Sequence, residues 1–283
     1  MAANVPPVRT LWQLIEPIHA VTYFSSESAE SFAAAGMKGF WMGYFSGRAA
    51  PMGEVGPAPV EATFFNFHPS MVRRALPDAW SHASAAELLE ARSSSSAATL
   101  RRLVPDIDEL APQLSCVLQR AIDGAVGTAA GRSLFAANLT VGVPADPVAA
   151  LWQATTTLRE HRGDGHVAAL TAEGLDGCEA HVLFATVHDV PADLYLRSRG
   201  WTADDWSAAS DRLRTRGADA ELHARIEART DALATAPYAA LTDDELATIT
   251  SLASRIATAI TSSGLYPYPN PIGLPAPAGA PGP

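Results

Sequence analysis

Residues 159–166 read Arg-Glu-His-Arg-Gly-Asp-Gly-His and are followed by the apolar run Val167-Ala168-Ala169-Leu170. Six of these eight side chains ionise, in a chain that is only 18% charged. A carboxylate next to an imidazole can orient the ring for general acid–base work, and His161, His166, Glu160 and Asp164 are the candidates for that role. His161, Asp164 and His166 could also ligate a metal, but loop ligands at this spacing are a weak signal, and no metal or cofactor is expected. The structural alternative is a helix corner. There Asp164 caps, Arg162 bonds carbonyls and Glu160 forms a salt bridge.

A second chemistry-bearing segment lies near the N-terminus, in "EPIHAVTYF". His19 follows Trp12 by seven residues, much as His161 follows Trp152 by nine, so both histidines could line one shared cleft. Glu16 would then join the acid–base set; alternatively, Glu16 and His19 simply meet one turn apart on a helix surface. Large rings concentrate in the first half, among them Trp12, Tyr23, Trp41 and Tyr44, with glycines interleaved in "GFWMGYFSGRAAPMG". Rings beside glycines can wall an apolar pocket, in which Arg48 or Arg159 would anchor an anion. The same rings could equally be core. Phosphate-loop, dinucleotide and nucleophile-elbow patterns are absent.

The elements that must position these residues read as mostly α. Helical spacing covers residues 8–35, 84–103, 106–122, 146–161, 202–216 and 243–262, the last opened by Thr242 as N-cap. Gly163 and Gly165 are expected to break the preceding helix, with Asp164 capping the next. Glu61–Phe67 and Ala180–Val187 read as short strands. From Tyr266 onward the Pro/Gly-rich chain should be extended and partly disordered.

The 283 residues carry a net charge of −10, with Lys38 the only lysine. An acidic chain repels phosphate overall, which disfavours DNA without forbidding a local basic patch. Cys116 and Cys178 are the only cysteines, too few for a disulfide framework. With no apolar run of about 20 residues and no signal pattern, the expectation is a cytoplasmic protein without membrane contact.

An internal repeat is suggested. Leu11-Trp12-Gln13 recurs 140 residues on as Leu151-Trp152-Gln153, Gly36 recurs 138 on as Gly174, and Glu90-Ala91-Arg92 recurs 137 on as Glu227-Ala228-Arg229. The stretch "RSRGWTADDWSAASDRLRTRG" followed by "RIEARTDALA" resembles the end of a MarR-type winged helix. Together with "LWQLIEPIHAVTYF", "GYFSGRAAPMG", "LREHRGDGHVAAL" and "YPNPIGL", it makes residues 8–274 similar to an actinobacterial family described as helix-turn-helix proteins. The resemblance implies tandem winged-helix halves with a little β structure, over 8–125 and 131–262, with a tail at 266–283. It implies no particular activity. One departure stands out: only "ADAELHARI" lies between Gly217 and Glu227, so the second wing should be truncated or absent. The candidate recognition helix opens on Asp204 and Asp205 and reaches Arg212, Arg214 and Arg216 only at its end.

The expectation is a binder of a small hydrophobic or acidic molecule, with room for a homodimer, that regulates with weak or no DNA contact of its own. The alternative is a cofactor-independent enzyme of secondary metabolism using the histidines and carboxylates above.

Overall fold

The computed structural model describes residues 8–274 as α-helices and connecting turns, with no strand among them. The first half runs α1 (Val8–Phe24), α2 (Ser26–Ala34), α3 (Phe40–Ala49), α4 (Pro57–Thr63), α5 (Pro69–Ala75), α6 (Ala85–Leu103) and α7 (Ile107–Ala125). After α8 (Ser133–Leu139) come α9 (Pro147–Ala172), α10 (Gly177–His188), α11 (Ala192–Arg199), α12 (Ala203–Thr215), α13 (Ala220–Leu233) and α14 (Asp243–Ser262).

Both expected strands are helical or looped. Glu61–Phe67 is the end of α4 and the turn after it, and Ala180–Val187 lies inside α10. In α10, Cys178, Ala180, His181, Val182 and Leu183 are all buried, so the helix is apolar nearly all round and its period is masked. A capping box at its start fixes the helix: Asp176 accepts from the Glu179 N–H at 2.8 Å, and Glu179 accepts from the Asp176 N–H at 2.9 Å. The same device opens α6 at Ser84, α12 at Thr202 and α14 at Thr242.

The largest core sits where α1, α7, α9 and α14 meet, and includes Leu11, Ile15, Leu114, Trp152, Ile249 and Ile256. Within it α7 packs on α9 as α14 packs on α1, while α1 meets α9 and α7 meets α14. Further out, α6 lies on α1 as α13 lies on α9, and α5 on α3 as α12 on α10. Smaller cores sit beneath α3–α5 and beneath α10, α12 and α13.

Residues 266–274 of the tail are not loose. Tyr266 is buried against Phe24 and donates its hydroxyl to the Pro17 carbonyl, while Asn270 and Leu274 bond each other in both directions. Residues 275–283 lie outside the described residues.

The expected corner at Gly163-Asp164-Gly165 does not exist. The helix α9 runs without a break from its Asp146 N-cap to Ala172. Asp164 caps a different helix, accepting the Phe135 N–H in the first turn of α8 at 2.9 Å. Gly165 is there because α9 is approached closely at that point. Arg132 crosses it to donate to the His161 carbonyl at 2.6 Å and the Leu233 carbonyl at 2.8 Å. A Cβ on Gly165 would fall 2.8 Å from Arg132 Nη1 and 3.2 Å from Leu233 Cβ, whereas one on Gly163 would meet nothing nearer than 3.6 Å. Gly163→Ala should therefore stabilise the fold by roughly 0.5–1 kcal/mol through helix propensity. Gly165→Ala should cost about 1–3 kcal/mol through overpacking. Urea unfolding of the two variants checks the contrast, and a gain in both would overturn this account of α9.

Candidate functional site: two cavities across a buried ion-pair wall

The sequence cluster supplies half of a buried charge network. Glu160 on α9 is 1% exposed and accepts two bonds from Arg48 on α3, Nε to Oε1 at 2.9 Å and Nη2 to Oε2 at 3.0 Å. Arg159 donates to the same carboxylate at 2.9 Å and faces Glu16 on α1 at 3.5 Å. Glu16 also accepts the indole N–H of Trp12 at 3.0 Å, and the Arg48 guanidinium lies 4.2 Å over the Phe64 ring. Burial works to raise the Glu160 carboxyl, but Arg159 and Arg48 hold it well below the ordinary carboxylate range. Neither Arg48 nor Arg159 is a free anion anchor, because both are bound to Glu160. Glu160→Gln leaves two buried guanidiniums without a counter-charge and should cost about 3–5 kcal/mol, read as a lowered urea midpoint. An unchanged midpoint would show that the network contributes nothing net.

On one side of this wall lies a cavity of about 320 Å³ between α1, α2, α3 and α9, with Arg92 of α6 in its lining. His19 sits in it, hydrogen-bonded through Nδ1 to Thr156 Oγ1 at 2.9 Å and through Nε2 to the Tyr23 hydroxyl at 3.0 Å. Burial, followed by the field of Arg159, pushes the His19 pKa well below its usual value, so the ring is neutral. On the other side lies a cleft of about 800 Å³, lined by Trp12, Glu16, Arg159 and His166 among the expected residues. Tyr44 and Arg48 line both spaces. In the cleft Arg162 stacks on Trp12 at 4.5 Å, and His166 Nδ1 lies 3.0 Å from Thr230 Oγ1 and 3.9 Å from Glu227.

Three expected residues lie in neither space. His161 points into the core, edge-on to Phe135 and bonded to Thr128 at 3.0 Å; Asp164 is committed to α8; Trp41 packs among Tyr44, Phe45 and Phe67. The structure thus separates His161 and Asp164 from His166. It also brings in residues that the sequence reading passed over. Arg199 is 8% exposed and donates only to the Ser198 and Pro271 carbonyls, with its Nε unpartnered. His181 is buried with Nε2 unpartnered and its ring stacked 4.4 Å from Tyr195. Both line the larger cleft.

Tyr195 leads to a recognisable unit. It sits on α11 and stacks in turn on Trp206 of α12 at 6.0 Å, and both helices pack on α10. The turn joining α11 to α12 is only Gly200, Trp201 and Thr202, and Gly200 at φ 77° takes the left-handed backbone the turn requires. The model of a helix-turn-helix family matches residues 8–267. The chain belongs to this helix-turn-helix family. No curated protein and no solved structure matches it.

The pair α11 and α12 carries few cations free for phosphate. Arg212 binds Asp176 and Glu179 at 2.7 Å each, Arg214 binds Asp211 at 2.5 Å, and Arg216 is turned onto the Glu173 and Gly174 carbonyls. In the first half Arg73 is held bidentately by Glu61. Among the described residues no wing strand follows α12; the four residues 216–219 lead straight into α13. No helix of the described residues is long and apolar enough to cross a membrane.

Buried His161 and partly buried His166 set a pH response. Burial pushes the His161 and His166 pKa values down to about 4, from an ordinary 6.5. Between those values the unfolded chain binds protons that the folded chain refuses, so stability falls as pH falls. Asp164 acts the other way: burial pushes its carboxyl up to about 6, so its contribution grows as pH falls through that value. His161 and His166, with His19, His181 and His223 lowered in the same direction by burial, outweigh one carboxyl and should leave a net loss. The urea midpoint is expected to drop between about pH 6.5 and 4, and His161→Gln should flatten the slope. A midpoint that holds steady would show these rings to be protonated in the fold.

Proposed function

We propose that this helix-turn-helix family member binds an acidic small molecule with an aromatic or apolar body in the larger cleft, and signals through α11 and α12. The observation that carries this reading is Arg199, a buried guanidinium lining the cleft that, among the described residues, has the Phe67 ring at 4.5 Å and backbone carbonyls as partners but no carboxylate. A buried cation without a counter-charge is costly, and an anionic ligand would supply one. Phe64, Phe67, Phe184 and Tyr195 offer apolar walls, and a volume of about 800 Å³ falls within the roughly 300–1,000 Å³ typical of small-molecule sites.

Arg199 is also the last residue of α11. A ligand drawn to it would therefore touch the first helix of the helix-turn-helix unit. The ring stack from His181 through Tyr195 to Trp206 continues from the cleft wall to α12. With Arg212 and Arg214 paired to acids, direct DNA binding by this unit is weak or absent in this reading, and regulation runs through a partner protein. The halves 8–125 and 131–262 are inferred to be duplicates related by a pseudo-twofold axis. Support comes from the matched packing of α1 with α14 and of α9 with α7, and from Gly36 and Gly174 both taking positive φ after Ala-rich helices.

A second reading, acid–base catalysis in the same cleft, is favoured by His166 standing 3.9 Å from Glu227 in a cleft also lined by His181, whose Nε2 has no partner. Binding comes first in either case. 2-Naphthoate, titrated by calorimetry and thermal shift, should bind and raise the melting temperature, the linkage reaching about 2.7 kcal/mol at a hundredfold excess over Kd. Arg199→Gln should weaken it roughly tenfold or more. Equal binding to both proteins, or none to either, would overturn the cleft as an acid site. Turnover of a bound acid that is lost in His166→Gln would replace regulation with catalysis.

A further inference from the structure

We propose that the smaller cavity between α1, α2 and α3 is a second binding site, taking an apolar monocarboxylate whose acid group is held by Arg92. This does not rest on the larger cleft. Arg92 comes from α6, is 4% exposed and lines the cavity. Its guanidinium donates to the Gly47 carbonyl at 3.1 Å and to Asn138 Oδ1 and Gln153 Oε1 at 3.2 Å, all of them neutral, while its Nε has no partner. It also lies 5.4 Å from the Trp152 ring centre. Burial lowers its pKa only to about 10, so it stays charged at neutral pH.

The surrounding charges do not cancel it. Arg48 and Arg159 are matched by Glu160 and Glu16, and Glu160 is the only carboxylate in the cavity lining. One positive charge is left over. Most other polar groups are already engaged, His19 with Thr156 and Tyr23, and Ser28 with Ser25 and Ser95, while the Thr22 hydroxyl is also in the lining. The rest of the wall is mainly apolar, with Phe24, Phe32, Met37 and Ala33, and with Phe40 half in solvent. A ligand matching this surface has one acid group and a slender hydrocarbon body. At about 320 Å³ the space lies at the small end of ligand sites, which suits a medium alkyl chain or a single ring.

Decanoate and decan-1-ol separate charge from apolar burial, and calorimetry backed by tryptophan fluorescence can follow both, since Trp152 lines the cavity. The intact protein should bind decanoate roughly tenfold or more tighter than the alcohol, as a charge-assisted bond predicts. Arg92→Gln should erase that preference. Because Arg92 is buried and its replacement could unfold the chain, Ala33→Trp provides a second handle. Ala33 is an exposed residue of α2 at the cavity edge, and a ring there should abolish binding of both probes while leaving the melting temperature unchanged. Arg199→Gln, which removes the acid anchor of the other cleft, should leave the decanoate site of the smaller cavity at unchanged affinity. Equal affinity for acid and alcohol in that variant overturns the proposal, as does no binding of decanoate or its survival when Ala33→Trp is combined with Arg199→Gln. Loss of decanoate in Arg199→Gln alone would move the site to the larger cleft.

Discussion

One carboxylate, Glu160, holds the centre of the molecule together. Its two oxygens take Arg48 from α3 and Arg159 from its own helix, and Arg159 passes the contact on to Glu16 of α1. Three helices from distant parts of the chain are thereby tied at one buried point. The same four charged groups form the partition between the two cavities. A buried ion pair is seldom a net source of stability, but it is intolerant of rearrangement, because any displacement strands a charge away from water. The network therefore acts as a register mark. It fixes how α3 and α1 sit against α9, and so fixes the shape of both spaces.

The helix α9 is the other half of that constraint. It touches α1, α6, α7, α8 and α13. Gly165 resolves the tightest crossing, where Arg132 spans from one carbonyl of α9 to the end of α13. Asp164, one residue before, bonds the start of α8. The residues that look most reactive in the sequence are partly there to let helices approach.

Much of the helical framework could be read from the sequence. Helical spacing over residues 8–35 located α1 and α2 but not the break at Ser25 between them, Thr242 marked the start of α14, and the matched Leu-Trp-Gln segments fall on α1 and α9, which pack together. The strand assignments failed where burial is all-round, as in α10, since alternation and helical period cannot be told apart there. Tyr44, Arg48 and Glu160 were picked out as single residues. Their joining was not legible, because Arg48 and Glu160 are 112 residues apart and only packing brings them together. Arg92 and Arg199 were passed over for a related reason: a cation is informative only when its lack of a counter-charge is known, and sequence does not show that.

Residues 159–166 form a corner only if Gly163 and Gly165 break the helix, and α9 runs through both. If α9 is continuous, helical geometry sorts the cluster without further information. Arg159, Arg162, Gly163, His166 and Val167 are spaced at i, i+3, i+4, i+7 and i+8, so they share a face, and that face is the wall of the larger cleft. His161 and Asp164 are three apart on another face, against α8 and its preceding turn. Glu160 points between the two, toward α3. One helix thus divides its ionisable residues into a cleft-facing set, a packing set and a partition. An acidic protein can in this way keep cationic cavities, since the carboxylates that dominate its total charge lie mostly outside them.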